Sequence, residues 1–271
     1  MSDRGAATVV KQPLKRPELE PTTATAPGRR YLFAITFAAD VPPCNCPGMD
    51  GKEVTAITEG GLAAVVSGVS GPKIRPERRY LARHQEVLKQ LLAYTTPLPM
   101  SFGILAEHPE AVRKILQRNQ RRLLEQLQHV AGKVEMGLRA NWDVPNIFEY
   151  FVNTHSELRS ARDRLLGANR QATQEEKIEL GRMFDRLLSE DRESHTERVE
   201  GILARACFEV KANKCRSEND VMNLACLVGR EAQESFGHAV FQAAQRFDNN
   251  FAFDYNGPWA PHNFVQVALA P

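Results

Sequence analysis

Apolar positions along the chain form short blocks whose spacing shifts from continuous to helical to alternating, and each shift marks an element. The run Tyr31-Leu-Phe-Ala-Ile-Thr-Phe37 is apolar at nearly every position, as in a strand buried on both faces. Prolines and glycines in residues 42–51 end it. Residues 53–58 and 62–67 flank Glu59-Gly60-Gly61, which predicts a hairpin. From Glu77, the residues Leu81, Val87, Leu88, Leu91 and Leu92 recur at mostly helical spacing until Pro97, and a short strand is expected near 98–105. Pro109 and Glu110 suit a helix start, and Val112, Ile115, Leu116, Leu123, Leu127 and Val130 make one stripe, so a single helix is predicted over 109–129. After Gly132, the apolar Val134, Met136, Leu138 and Ala140 alternate with Glu135, Gly137, Arg139 and Asn141, the period of a half-buried strand.

Two helices follow, over 147–166 and 173–206, separated by Gly167-Ala-Asn169; Thr173 and Glu176 fit a capping box at the second start. The second arm, about 45 Å long at the rise of an α-helix, should bury Leu180, Phe184, Leu187, Leu188, Val199, Ile202 and Leu203. Strands at 207–212 and 221–228, a helix at 230–246 and a strand at 250–255 complete the order βαββαβ. That order predicts a ferredoxin-like sheet with its helices on one face. The fold class is α+β in two units, a small N-terminal α/β unit over 31–105 and a modified ferredoxin-like unit over 106–271 with a helical hairpin inserted at about 147–206. Residues 1–30, with Pro13, Pro17, Pro21 and Pro27 and no apolar period, read as a disordered tail.

Charge removes several function classes. With 35 basic against 33 acidic residues, no global field draws the chain to nucleic acid or to an anionic membrane. No apolar run nears the roughly 18 residues of a membrane span, and no signal peptide opens the chain, so a cytoplasmic protein is expected. Cys44, Cys46, Cys207, Cys215 and Cys226 are odd in number and scattered, which fits reduced thiols. Cys44-Asn45-Cys46 lacks the second pair that a zinc site needs. Gly68 and Gly71 before Lys73 imitate a phosphate loop, but Pro72 removes an amide donor and no hydroxyl follows the lysine. His84, His108, His129, His155, His195, His238 and His262 share no spacing, and solvent-facing or capping roles are expected. No catalytic string is present, so no enzyme, cofactor, metal or small-molecule substrate is expected. A basic stretch of Arg113, Lys114, Arg118, Arg121 and Arg122 leaves an RNA-binding module as the alternative, although a solvated face pairing with Glu110 and Glu125 is the plainer reading.

The closing segment Gly257-Pro258-Trp259-Ala260-Pro261-His262-Asn263-Phe264-Val265 resembles the G-P-W-P-P-Y-S-F-V signature of the gas vesicle F/L family. Tyr31-Leu-Phe-Ala-Ile35 is similar to that family's opening strand, Pro99-Met-Ser-Phe102-Gly103 to its P-x-x-F-G turn, and Gly132-Lys-Val-Glu135-Met-Gly137 to its G-x-x-E-x-G strand entry. Ala260 replaces a proline, and His262-Asn263 stands where Tyr-Ser is common. The resemblance implies a non-catalytic assembly factor or minor structural component that binds the major gas vesicle shell protein and works with other gas vesicle accessory proteins. No nucleic acid, membrane or cofactor belongs to that picture. Gly257 is expected to supply an unusual backbone angle, and Pro258 and Pro261 an extended exit. Trp259 and Phe264 should be buried anchors closing the sheet against the N-terminal unit.

Overall fold

The computed structural model describes residues 28–167 and 172–266. Most of the expected tail, 1–27, lies outside them, as do Ala168 and Asn169 of the expected helical break. The first sheet holds β1 (Arg30–Phe37), β2 (Val54–Glu59), β3 (Leu62–Gly68) and the two-residue strands β4 (Leu98–Pro99) and β5 (Leu105–Ala106). Its order is β2-β3-β1-β4, with β5 also pairing β1, and every pairing is antiparallel. Both faces are covered. Tyr31 and Phe33 pack with Val87, Leu88 and Leu91 of α1 (Arg78–Tyr94), while Leu32 and Ile35 pack with Val112 and Leu116 of α2 (Pro109–Arg118) and Leu123 and Leu127 of α3 (Gln120–Val130). This two-sided burial is why β1 reads as an unbroken apolar run.

The single helix expected over 109–129 is two. Asn119 leaves the helical region at φ −106° and ψ 8°, and its buried side-chain amide donates to the Ile115 carbonyl at 2.8 Å. The Ile115 carbonyl also accepts from the Asn119 backbone N–H at 3.2 Å, so side chain and backbone share one acceptor where the axis bends. The single strand expected near 98–105 is the pair β4 and β5, because Pro99 has no amide to give a ladder and the chain turns at Phe102-Gly103 before returning to β1.

The second sheet comprises β6 (Lys133–Trp142), β7 (Glu209–Ala212), β8 (Asp220–Gly229) and β9 (Phe251–Trp259), in the order β7-β8-β6-β9, all antiparallel. One face carries Val134, Met136, Leu138, Ala140 and Trp142 into a core with α4 (Ile147–Thr154), α5 (Ser156–Gly167), α6 (Gln174–Leu203) and α7 (Gln233–Ala244). The helix expected over 147–166 breaks at His155, which is extended at φ −114° and ψ 109°; α5 then turns to lie along α6, tied by Glu157 to Arg186 at 3.1 Å. The capping box forms as expected: Glu176 N–H donates to the Thr173 hydroxyl at 3.3 Å and Thr173 N–H to the Glu176 carboxylate at 2.9 Å. No helix among the described residues is long and apolar enough to cross a membrane.

The two sheets share a core. Ala225 and Leu227, on the side of β8 away from α4–α7, join the cluster built by α2, α3 and the first sheet, together with Phe264. Hydrogen bonds cross beside it. The Thr96 hydroxyl donates to the Lys133 carbonyl at 2.8 Å, and the Arg230 guanidinium donates to the Thr95 carbonyl.

Candidate functional site

Two of the motif segments meet on the back of the second sheet. In the register of β6 against β9, Glu135 faces Trp259 and Gly137 faces Asn256, with a bulge between those pairs. Gly257 sits in that bulge at φ 131°, where a Cβ would lie 2.8 Å from the Met136 sulfur and 3.1 Å from the Glu135 carbonyl oxygen. A side chain fits neither the angle nor the space. At Gly137 a Cβ would lie 2.6 Å from the Asn256 amide oxygen, so the Asn256 side chain would have to move aside. Gly132 turns the chain into β6 at φ 69°, and its carbonyl accepts from Arg230 N–H at 3.0 Å.

Glu135 is 7% exposed, and one carboxylate oxygen accepts from Asn263 N–H at 2.8 Å while the other accepts from the Asn263 side-chain amide at 2.6 Å. Burial holds its carboxyl above the usual range, with the two Asn263 bonds and Lys211 pulling the other way. Asn263 is one of the positions that departs from the family-like signature, and here it ties the closing segment to the sheet. The Lys211 ammonium donates to the Asn263 carbonyl at 3.0 Å and lies 5.2 Å from the Phe264 ring centre. Phe264 is buried, as are Ala260 and Pro261. Trp259 differs from the expectation of burial. It is 47% exposed, with its indole N–H donating to the Asn256 side chain at 2.8 Å. The peptide bond before Pro258 is cis, and β9 runs on through Pro258 to Trp259 before the chain leaves the sheet.

The third motif segment lies in a separate cluster on the first sheet. Gly103 N–H donates to the Tyr31 hydroxyl at 3.2 Å, that hydroxyl is 2.8 Å from His84 Nδ1, and the Phe102 ring lies 6.0 Å from both the Tyr31 and His84 rings. His84 is thus buried, not the solvent-facing or capping residue expected. Burial, helped by the charge of nearby His262, pushes its pKa down to about 4. Burial likewise pushes the Tyr31 hydroxyl up to about 12. Alternation exposes no such pairing, because His84 and Tyr31 are 53 residues apart.

Beyond the closing segment, the back of the sheet opens into a groove of about 800 Å³. Gly137 and Ala225 leave its floor low; Arg139, Asn223, Asn256 and Trp259 rise around it. Lys214, Arg216 and Asp254 add charge at the rim. β9 pairs only β6, so its outer edge has no strand partner among the described residues. Such an arrangement offers amide and guanidinium hydrogen bonds, one flat aromatic surface and a free backbone edge, which together suit an extended polypeptide.

Other candidates resolve into local structure. The loop of Gly71 and Lys73 borders a hollow of about 290 Å³ whose wall includes Asp50 and Glu77, carboxylates that oppose a phosphate. On the basic helix pair, Arg113 donates to Glu110 and to the Thr58 carbonyl, each at 3.2 Å, and Arg121 lies 3.8 Å from Glu125. Among the described residues, no group of three or more His, Cys, Asp or Glu is arranged to hold a metal ion. His108 does cap α2, accepting from Ala111 N–H at 3.0 Å.

A family model described as gas vesicle synthesis protein GvpL/GvpF matches residues 29–266. Gas vesicle protein F of Nostoc sp. (strain PCC 7120) is 27% identical over 242 residues, spanning 88% of this chain and 98% of that protein. Gas vesicle protein F of Streptomyces sp. (strain CB03234) is 29% identical over 222 residues, spanning 79% and 89%. The crystal structure of GvpF from Anabaena sp. PCC7120 superposes with a TM-score of 0.77 at 27% identity, covering 89% of this chain and 99% of that one. GvpF from Microcystis aeruginosa gives 0.74 at 23% identity, covering 88% and 99%, a likeness of fold.

Proposed function

The chain belongs to the gas vesicle synthesis protein GvpL/GvpF family, and on that footing we propose that it is an accessory or minor structural protein of the cytoplasmic gas vesicle. It binds the major shell protein and supports nucleation and assembly of the shell, by contact and without covalent chemistry. The observation that carries this reading is the groove behind the second sheet, where an exposed Trp259 stands beside the open edge of β9. A shell subunit with an apolar gas-facing surface aggregates unless its patches and strand edges are covered. Strand addition along β9 covers one such edge, with alternate side chains of the guest entering the groove.

The test is twofold. Deleting the gene is expected to abolish or deform gas vesicles, and the purified chain is expected to co-precipitate the major shell protein. A deletion strain with vesicles of normal number and shape overturns the proposal. Crosslinking followed by peptide mapping should place the shell protein on β9 or the groove; crosslinks confined to α1 would move the contact elsewhere. Tight, salt-sensitive binding to mixed RNA would favour the RNA-binding alternative, for which Arg139, Lys214 and Arg216 are the groove cations.

A further inference from the structure

Two thiols take no part in the contact surface just described, and we propose that they form a modification site: Cys44-Asn45-Cys46 is a dithiol that a hydroperoxide closes to a disulfide and a cellular thiol reopens. Their sulfur atoms lie 3.1 Å apart, and both cysteines are free. The surrounding loop holds them there. Pro42, Pro43 and Pro47 fix their own φ angles on either side of the pair. Downstream, Gly48 N–H donates to the Lys52 carbonyl at 2.6 Å and Met49 N–H to the Ser67 hydroxyl at 3.0 Å. Asp50 accepts from Ser70 N–H at 3.0 Å and from the Tyr80 hydroxyl at 2.9 Å. A chain pinned at these points samples few conformations, so the thiols stay adjacent.

The two cysteines are unequal in a useful sense. Cys44 is half-exposed and its thiol points at the Gln90 amide oxygen at 3.5 Å, whereas Cys46 is buried among Tyr31, Phe33 and the α1 leucines. Burial first, then the neighbouring Cys44, pushes the Cys46 thiol up to about 12, so it stays protonated near neutrality. Cys44 therefore meets the oxidant. Its thiolate attacks one oxygen of the hydroperoxide, the O–O bond breaks, and Cys44 becomes a sulfenic acid while the other oxygen leaves as an alcohol or water. The Cys46 sulfur then attacks the Cys44 sulfur; the S–S bond forms, the S–O bond breaks, and the Cys46 proton departs with the oxygen as water. Two thiols lose two electrons and one peroxide gains them. A free thiol reverses the step by exchange through a mixed disulfide.

The closed ring spans three residues, so it constrains the unfolded chain little and the global melting temperature is expected to hold. The effect is local. Closure draws the Cys44 sulfur from Gln90 and stiffens the loop against α1.

The experiment treats the purified full chain with hydrogen peroxide, alkylates the remaining thiols and maps the peptides. The expected result is a 44–46 peptide that has lost two hydrogens and resists alkylation until reduced, at peroxide levels that leave Cys207 and Cys226 alkylated. The mapping matters because Cys207 and Cys226 also contact each other, with Cys226 fully buried in the second core. Cys46→Ala, checked for a native circular-dichroism spectrum, is expected to leave Cys44 as a sulfenic acid trapped by a dione probe. Oxidation of Cys44 to a sulfinic acid in the unaltered chain while Cys46 stays alkylatable overturns the proposal, as does pairing of Cys44 with any other cysteine.

Discussion

At the scale of single residues, Gly257 combines two constraints that reinforce each other. Its backbone lies at φ 131°, and the Met136 sulfur occupies the space a Cβ would need. Gly257→Ala is expected to cost about 1–3 kcal/mol, with a lower urea midpoint and an unchanged slope, since such strained angles carry a penalty of that order. An unchanged midpoint would mean that the bulge relaxes freely. His84 supplies a second residue-scale expectation, one of pH. Its pKa falls from 6.5 in the unfolded chain to about 4 in the fold, so between those values the unfolded state binds the extra proton. Stability from this site is therefore complete above pH 6.5 and lost as pH falls toward 4, by up to about 3 kcal/mol at one pKa unit per 1.4 kcal/mol. Urea midpoints from pH 7 to 5, read before most carboxylates titrate, should fall more steeply in the unaltered chain than in His84→Gln. Equal slopes would place the proton elsewhere.

Among elements, the start of α6 was legible in the sequence because its signal is local. Thr173 and Glu176 are three residues apart, and both halves of the capping box form. Thr173→Ala is expected to cost about 1 kcal/mol at most sites of this kind. Hydrogen exchange is expected to quicken in the first turns of α6, while the segment that buries Leu187 and Leu188 keeps its protection. The helix breaks were not legible, for a physical reason. At Asn119 the flanking apolar residues Leu116 and Leu123 stay seven apart and enter the same core, so the stripe keeps its phase across the break, and the Asn119 side chain only adds a second bond to the Ile115 carbonyl that the backbone amide already reaches. At His155 the turn is set by what α5 must reach, the Arg186 side of α6. Periodicity reports which face is buried, not where tertiary contact bends the axis.

On the whole-molecule scale, the closing segment joins the two sheets, and its two large aromatics divide the labour in a way the sequence did not disclose. Both read as apolar anchors beside prolines. Phe264 is one: it enters the shared core with Leu227 and Leu127 at 5% exposure. Trp259 instead faces solvent over the groove, next to the bulge at Gly257 that shifts the register of β9 against β6. The consequence separates stability from contact. Phe264→Ala is expected to lower the unfolding free energy by about 3–5 kcal/mol, the range for a buried phenylalanine. Trp259→Ala, at 47% exposure, is expected to change it by no more than about 1 kcal/mol. If the groove is where the shell protein sits, Trp259→Ala nonetheless weakens its co-precipitation, while a stability-matched substitution at exposed Tyr94 leaves it intact. A Trp259→Ala chain that folds normally and retains the shell protein at full strength would remove the groove from the contact and leave the edge of β9 to bear it alone.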